Sequence, residues 1–156
     1  MIFSFEPIFD KNSRVLILGS MASVKSLEKG FYYMHPQNKF WKTISKVVGK
    51  NVPEDIDDKK KWLLENHIAL MDIIYGCERK GSLDSEIKNI QPNDISKVLD
   101  TADIRAIFCN GKKSLSVAMK TYPDKEFFYL PSSSPANAAA WNEEEWMKIR
   151  KYLFDD

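Results

Sequence analysis

The chain is short of cysteine, of histidine and of net charge, and each shortage removes a class of chemistry. Its two cysteines, Cys77 and Cys109, are too few for an iron–sulfur cluster held by four thiolates and show no CxxC spacing for zinc or redox work. Its two histidines, His35 and His67, have neither cysteines nor carboxylates at ligand spacing, and the H-x-E plus P-C-x-x-C pattern of a zinc deaminase is missing. Glycine is sparse as well: Gly19 stands alone after the first apolar run, so there is no GxGxxG dinucleotide fingerprint. The stretch GKKS at 111–114 fails as a phosphate loop, with Ala106 where the leading glycine belongs and Lys113 in place of the Ser/Thr. The run Ser132-Ser133-Ser134 lacks a GxSxG elbow, which argues against a serine hydrolase. No apolar run approaches the roughly 20 residues of a membrane span, and the opening MIFSFEP lacks a basic segment leading into a long apolar one. A cytoplasmic protein with reduced thiols, no metal and no cofactor is the expectation.

What is present suffices for a core. With 156 residues, 44% of them hydrophobic and 29% charged, and no internal repeat, low-complexity stretch or linker, the chain reads as a single domain over residues 1–156. At that length folding buries roughly 70% of the surface of the unfolded chain, without help from disulfides. The balance of 23 basic against 22 acidic residues hides an uneven distribution. Residues 11–50 carry eight basic residues and one acid, whereas residues 51–104 carry seven basic and twelve acidic ones. Local field rather than net charge attracts a phosphate backbone, so the basic stretch is a candidate DNA footprint, set against the plainer alternative of a solvated surface. A monomer is expected, since nothing in the pattern suggests a large exposed apolar seam.

Residues 14–19 (RVLILG) form a short apolar, β-branched run ending in glycine, the pattern of a strand buried on both faces. After an aromatic-rich loop, Phe40, Trp41, Ile44, Val47 and Val48 recur at helical spacing, with Asn38 placed to cap that helix and Gly49 to end it. Further helices are expected over 55–67, 92–99, 112–120 and 141–154, a strand running into loop over 68–75, and strands over 104–109 and 126–130. Strands separated by helices imply right-handed crossovers and a three-layer α/β domain with a four-stranded parallel sheet. Such a sheet binds its ligand beyond the carboxyl ends of the strands, which directs the search to residues 19–38, 110–112 and 131–137.

The segment GFYYMHPQNKFW at 30–41 sets aromatic, amide and basic side chains in one loop at that mouth. Aromatic rings offer a face to an unpaired base, an amide can bond a base edge or orient water, and the lysines that follow, Lys39 and Lys42, suit phosphates. Phe40 and Trp41 lie on the helix stripe and belong to the core, while Tyr32 and Tyr33 precede it. His35 before Pro36 reads as a loop-fixing hydrogen bonder and Asn38 as a helix cap. From the residues alone the reading ends at an α/β domain with a base-binding mouth: an enzyme, or a DNA- or nucleotide-binding module.

Taken together, LGSMAS at 18–23, the block at 30–41 with its His-Pro-x-Asn-x-Phe-Trp core, FCNGK at 108–112 and LPSSSPAN at 130–137 resemble the uracil-DNA glycosylase superfamily. The nearest branch is that of the DNA-deoxyinosine (hypoxanthine-DNA) glycosylases, often called family 6, and the resemblance covers nearly the whole chain. It implies a uracil-DNA glycosylase-like fold and a monofunctional glycosylase that removes deaminated bases from DNA, hypoxanthine first, with uracil excision from G/U mismatches as the runner-up. The mismatch-specific branch positions water with an Asn after the first strand, and here the matching residue is Met21. The resemblance transfers that role to Asn38. It further implies that Tyr33 stacks on the flipped base, that Asn110 reads the base edge, and that the loop of Ser132, Ser133 and Ser134 presses on the DNA backbone and fills the gap left by the flipped nucleotide, with no one residue assigned as the wedge. The segment of Gly19, Ser20 and Met21 would then supply backbone N–H groups to the leaving base.

Overall fold

The computed structural model describes residues 1–154. Its strands are β1 (Ile2–Phe3), β2 (Val15–Gly19), β3 (Ile68–Asp72), β4 (Ile74–Glu78), β5 (Lys88–Pro92), β6 (Ala106–Asn110) and β7 (Phe128–Leu130). Its α-helices are α1 (Val24–Lys29), α2 (Phe40–Val48), α3 (Ile56–Glu65), α4 (Ser96–Thr101), α5 (Lys112–Thr121), α6 (Glu143–Met147) and α7 (Arg150–Leu153). The wholly buried runs β3, β2 and β6 pair with the shorter, partly exposed β7 as one parallel sheet in the order β3-β2-β6-β7. The register sets Gly19 opposite Asp72, Leu18 opposite Cys109 and Asn110 opposite Leu130, so the carboxyl ends of the strands finish level with one another.

Successive side chains of a strand point to opposite faces, and both faces are covered. Val15, Ile17 and Phe108 pack into one core with Phe40, Ile44 and Val47 of α2, Leu63 of α3 and Trp146 of α6. Leu16, Leu18, Ile107 and Cys109 pack into the other with Val98 of α4 and Val117 and Ala118 of α5. This is the three-layer α/β/α arrangement the sequence implies.

The stretch at 68–75 departs from the expectation of a strand running into loop. It breaks after Asp72 and resumes as β4, which pairs antiparallel with β1 and β5 in a second, three-stranded sheet. Gly76 permits that pairing, because a Cβ there would lie 2.7 Å from the ring of Phe3. The expected helix over 92–99 is displaced accordingly, with β5 ending at Pro92 and α4 beginning at Ser96. The loop between the first strand and Asn38 contains α1, capped by the Ser23 hydroxyl, and the closing helix splits into α6 and α7. Asn38 does cap α2, from one residue further out than expected: its Oδ1 accepts the Phe40 N–H at 2.9 Å, while Lys39 occupies the boundary position. Gly49 ends the helix in the left-handed conformation, φ 81°.

Candidate active site

The level strand ends open into one cavity of about 730 Å³, within the range of small-ligand sites. Segments far apart in sequence meet there: the β2 end, the 30–41 block, the β3 and β6 ends, and the serine loop after β7.

Asp72 closes β3 at the floor and is only 2% exposed. Its Oδ2 accepts from the Ser4 hydroxyl at 2.6 Å, and burial pushes its carboxyl up to about 6, with Asp84 adding to the shift and Ser4 and Arg79 opposing it. Gly19 beside it has no room for a side chain: a Cβ there would fall 2.4 Å from Asp72 Oδ1 and 2.6 Å from the Tyr33 hydroxyl. Those two oxygens therefore stand within about 5 Å of each other across the glycine.

Tyr33 holds the left-handed conformation, φ 56°, an uncommon state for a bulky residue and one that clusters at functional sites. Its ring stacks on Phe40, centroids 4.2 Å apart at 26°, and its hydroxyl is buried without a hydrogen-bond partner. Burial and the Asp72 charge push that phenol well above its ordinary range, while the neighbouring Asn110 side chain acts in the opposite direction. Tyr32 also lines the cavity, but its hydroxyl is committed to the carbonyls of Phe5 and Glu6. His35 fixes its loop as expected, Nδ1 accepting the Gln37 N–H at 3.1 Å.

Two amides line the cavity. Asn38 is half-buried, its Oδ1 accepting the Phe40 N–H and its Nδ2 without a hydrogen-bond partner among the described residues. Asn110 is 7% exposed and doubly tied, Oδ1 accepting the Ser133 N–H at 2.9 Å and Nδ2 donating to the Ser133 hydroxyl at 2.9 Å. Ser133 is thus buried against Asn110, whereas Ser132 and Ser134 are partly exposed, their hydroxyls accepting the N–H groups of Ser134 and Ala136. Met21 packs its side chain into the core, and Ser20 donates its hydroxyl to Asp84 Oδ1 at 2.9 Å.

These segments coincide with a known family. Residues 6–154 match the Uracil DNA glycosylase superfamily. The chain belongs to that superfamily. A curated relative from Methanosarcina acetivorans, named hypoxanthine DNA glycosylase, is 34% identical over 153 residues, which is 95% of this chain and 97% of the relative. Another of that name from Methanosarcina barkeri is 34% identical over 112 residues, 70% of this chain and 71% of its own. The solution NMR structure of a candidate uracil DNA glycosylase from Methanosarcina acetivorans superposes with a TM-score of 0.82 at 33% identity, over 97% of each chain.

Among the superfamily positions named from sequence, Gly19, Ser20, Met21, Tyr33, Asn38, Asn110 and the three serines all line the cavity. Lys39 and Lys42 do not: Lys39 Nζ lies over the Trp141 ring at 5.4 Å, and Lys42 is exposed on α2. The lysines at the cavity are Lys112 and Lys113, in the first turn of α5, where unpaired helix N–H groups already favour an anion. Asp72 and Asp84 also escaped the sequence reading. The signal for Asp72 was present, since an acid closing an otherwise apolar buried strand is rare without a reason. No helix among the described residues is long and apolar enough to cross a membrane, and none of their His, Cys, Asp and Glu side chains cluster as a metal site.

Proposed function

We propose that this chain is a monofunctional DNA glycosylase, acting as a single domain and a monomer, that hydrolyses the N-glycosidic bond of hypoxanthine in DNA. The observation that carries the reading is the convergence of Asn38, Tyr33, Asp72 and Asn110 on one cavity, roomy enough for an extruded nucleotide, in a chain whose curated relatives bear that name. A base inside a duplex is out of reach, so the nucleotide must be turned out of the stack, at a few kcal/mol that is least for a damaged or mismatched pair. The part of the Tyr33 ring left free by Phe40 offers the stacking surface. Hypoxanthine presents an N–H next to a carbonyl, and the ionised Asp72 carboxylate supplies an acceptor for that N–H. Adenine has an unprotonated nitrogen at the same place and gains nothing there.

The bond from C1′ to the base breaks with its electron pair leaving on the base, and the elements of water end as a hydroxyl on C1′ and a hydrogen on the freed base. Asn38 is essentially non-titrating and hence a poor general base, so its task is to hold the water. A carbonyl oxygen has two acceptor sites; the Phe40 N–H takes one and fixes the amide, leaving the other for a water hydrogen. Backbone N–H groups of the segment after β2 favour the departing anionic base. Lys112, Lys113 and the exposed part of the serine loop are placed for flanking phosphates.

Uracil shares the N–H and carbonyl edge, which keeps mismatch uracil excision as the second reading. End-labelled duplexes carrying inosine, uracil or normal bases, incubated with the protein and heated in alkali, separate the cases. Strand breaks at inosine above those at uracil support the proposal, and no breaks at either overturn it.

A further inference from the structure

Asp72 is held at the cavity floor by a stretch of chain that does not itself line the cavity. Residues 2–8 run antiparallel beside residues 70–77 and span the break between β3 and β4. On the β4 side, Ile2 pairs with Cys77 and Phe3 with Gly76. On the β3 side, Ile8 and Leu70 exchange backbone hydrogen bonds at 2.8 and 2.9 Å. Ser4 falls between these anchorages, its own N–H donating to the Tyr75 carbonyl at 2.8 Å. That pairing sets its hydroxyl against the last residue of β3, where it donates to Asp72 Oδ2 at 2.6 Å. Just beyond β5, Asn93 donates its Nδ2 to the Asp72 backbone carbonyl at 3.0 Å. Both supports come from the small second sheet or its margins.

The two carboxylate oxygens are therefore in different situations. Oδ2 is taken by Ser4, while Oδ1 stands against Gly19, which has no side chain to cover it. A carboxylate without a fixed donor can turn about its last bond and exchange the two oxygens. Turning this one would break a charge-assisted hydrogen bond in a buried site. The same bond favours the ionised form, which burial and the charge of Asp84 oppose. The other titratable groups around the carboxylate are Tyr32 and Tyr33 of the 30–41 block and Asp84 and Arg79 of the segment between β4 and β5. Ser4 is the one hydrogen-bond donor to the carboxylate among the described residues. We propose that Ser4 is a positioning residue for base recognition, fixing the Asp72 carboxylate so that Oδ1 faces the N–H of the extruded hypoxanthine, with the small sheet as its mounting.

The proposal rests on the glycosylase reading and on the part given there to Asp72, and two titrations keep the failures apart. One follows the Asp72 carboxyl carbon by NMR in isotope-labelled protein, assigned with Asp72→Asn, and needs no activity. The other follows single-turnover excision from inosine-containing duplex across the same range of pH. In wild type both midpoints are expected together, at about 6. Ser4→Ala is expected to raise both by about one to two pH units, as the strength of a hydrogen bond to a charged group requires. Ser4→Thr, which keeps the hydroxyl, is expected to restore them, and Ser4→Cys, a weak donor of similar size, to shift them upward by less. Asp72→Asn is expected to lose this limb of the excision profile, and adding Ser4→Ala to it to bring no limb back. A carboxyl midpoint in Ser4→Ala and Ser4→Cys equal to that of wild type overturns the role of Ser4 and leaves the glycosylase reading intact. A raised carboxyl midpoint with an unmoved excision profile overturns it too, because excision then does not follow Asp72. A wild-type protein that excises neither hypoxanthine nor uracil overturns the glycosylase reading and the proposal with it.

Discussion

Asn38 and Asn110 line the same cavity from different elements and are held in opposite ways. Asn110 has its oxygen and one N–H committed to Ser133, which ties the end of β6 to the serine loop. Asn38 is held by one bond among the described residues, its oxygen accepting the Phe40 N–H at the start of α2. Two amides of identical chemistry therefore differ in what they have left to give. The clamped one chiefly holds the wall in shape, and the singly held one is oriented yet still open to a ligand. On the proposed mechanism, capping and catalysis, which look like rival roles for Asn38 in the sequence, are two uses of one oxygen.

Removing each amide should show this contrast. Asn38→Ala is expected to lower single-turnover excision of hypoxanthine by about 10²-fold, the scale of a misplaced reacting group, while stability falls by only about 1 kcal/mol for the lost cap. Asn110→Ala should do the reverse in stability. It leaves the buried Ser133 N–H unsatisfied, a loss of about 1–3 kcal/mol that thermal melting will register. If Asn110→Ala melts like wild type, the clamp is not what holds the serine loop.

The cavity floor provides a second contrast, through pH. Because Asp72 has its carboxyl raised from 3.8 to about 6, the folded protein binds this proton more tightly than the unfolded chain does. Its contribution to stability is fully present below the unfolded value, falls as pH rises through about 6, and stays flat above. Asp72→Asn should therefore be more stable than wild type at pH 7 by about 3 kcal/mol, with the advantage gone below about pH 4. If the ionised carboxylate receives the base N–H, wild-type excision should also rise through this range while the variant's does not. The smallest effects concern charge at the rim: Lys112→Ala and Lys113→Ala should each flatten the salt dependence of DNA binding by about one phosphate contact. Lys39→Ala and Lys42→Ala, outside the cavity, should change the slope no more than that.

How much could be read from sequence follows from where each residue sits. VLILG, IALMD and AIFCN are apolar because both faces of their strands are buried, so composition reveals them. KNIQP is polar and largely exposed, and IYGCE, which buries Ile74 and Cys77, pairs with it in a bulged register, so neither strand carries a regular period to detect. The same blind spot hid the stretch from Ser82 to Ser85 between those strands, which lines the cavity. Asn38, Tyr33 and Asn110 were legible because each lies in a short motif at a strand or helix end. Asp72 was missed because a strand running into loop over 68–75 does not say at which residue the strand ends, and it is the end of β3 at Asp72 that brings the carboxylate to the cavity floor.

The central claim is that the Asn38 amide positions the attacking water, and Asn38→Ser tests it most directly, because serine keeps the cap on the Phe40 N–H but is too short to reach the water. The decisive measurement is the single-turnover rate of hypoxanthine excision by this variant, beside its melting temperature and its binding to inosine-containing duplex. Unchanged melting and binding with a rate reduced nearly as far as in Asn38→Ala is the predicted result. A rate equal to wild type would contradict it and leave Asn38 as a helix cap.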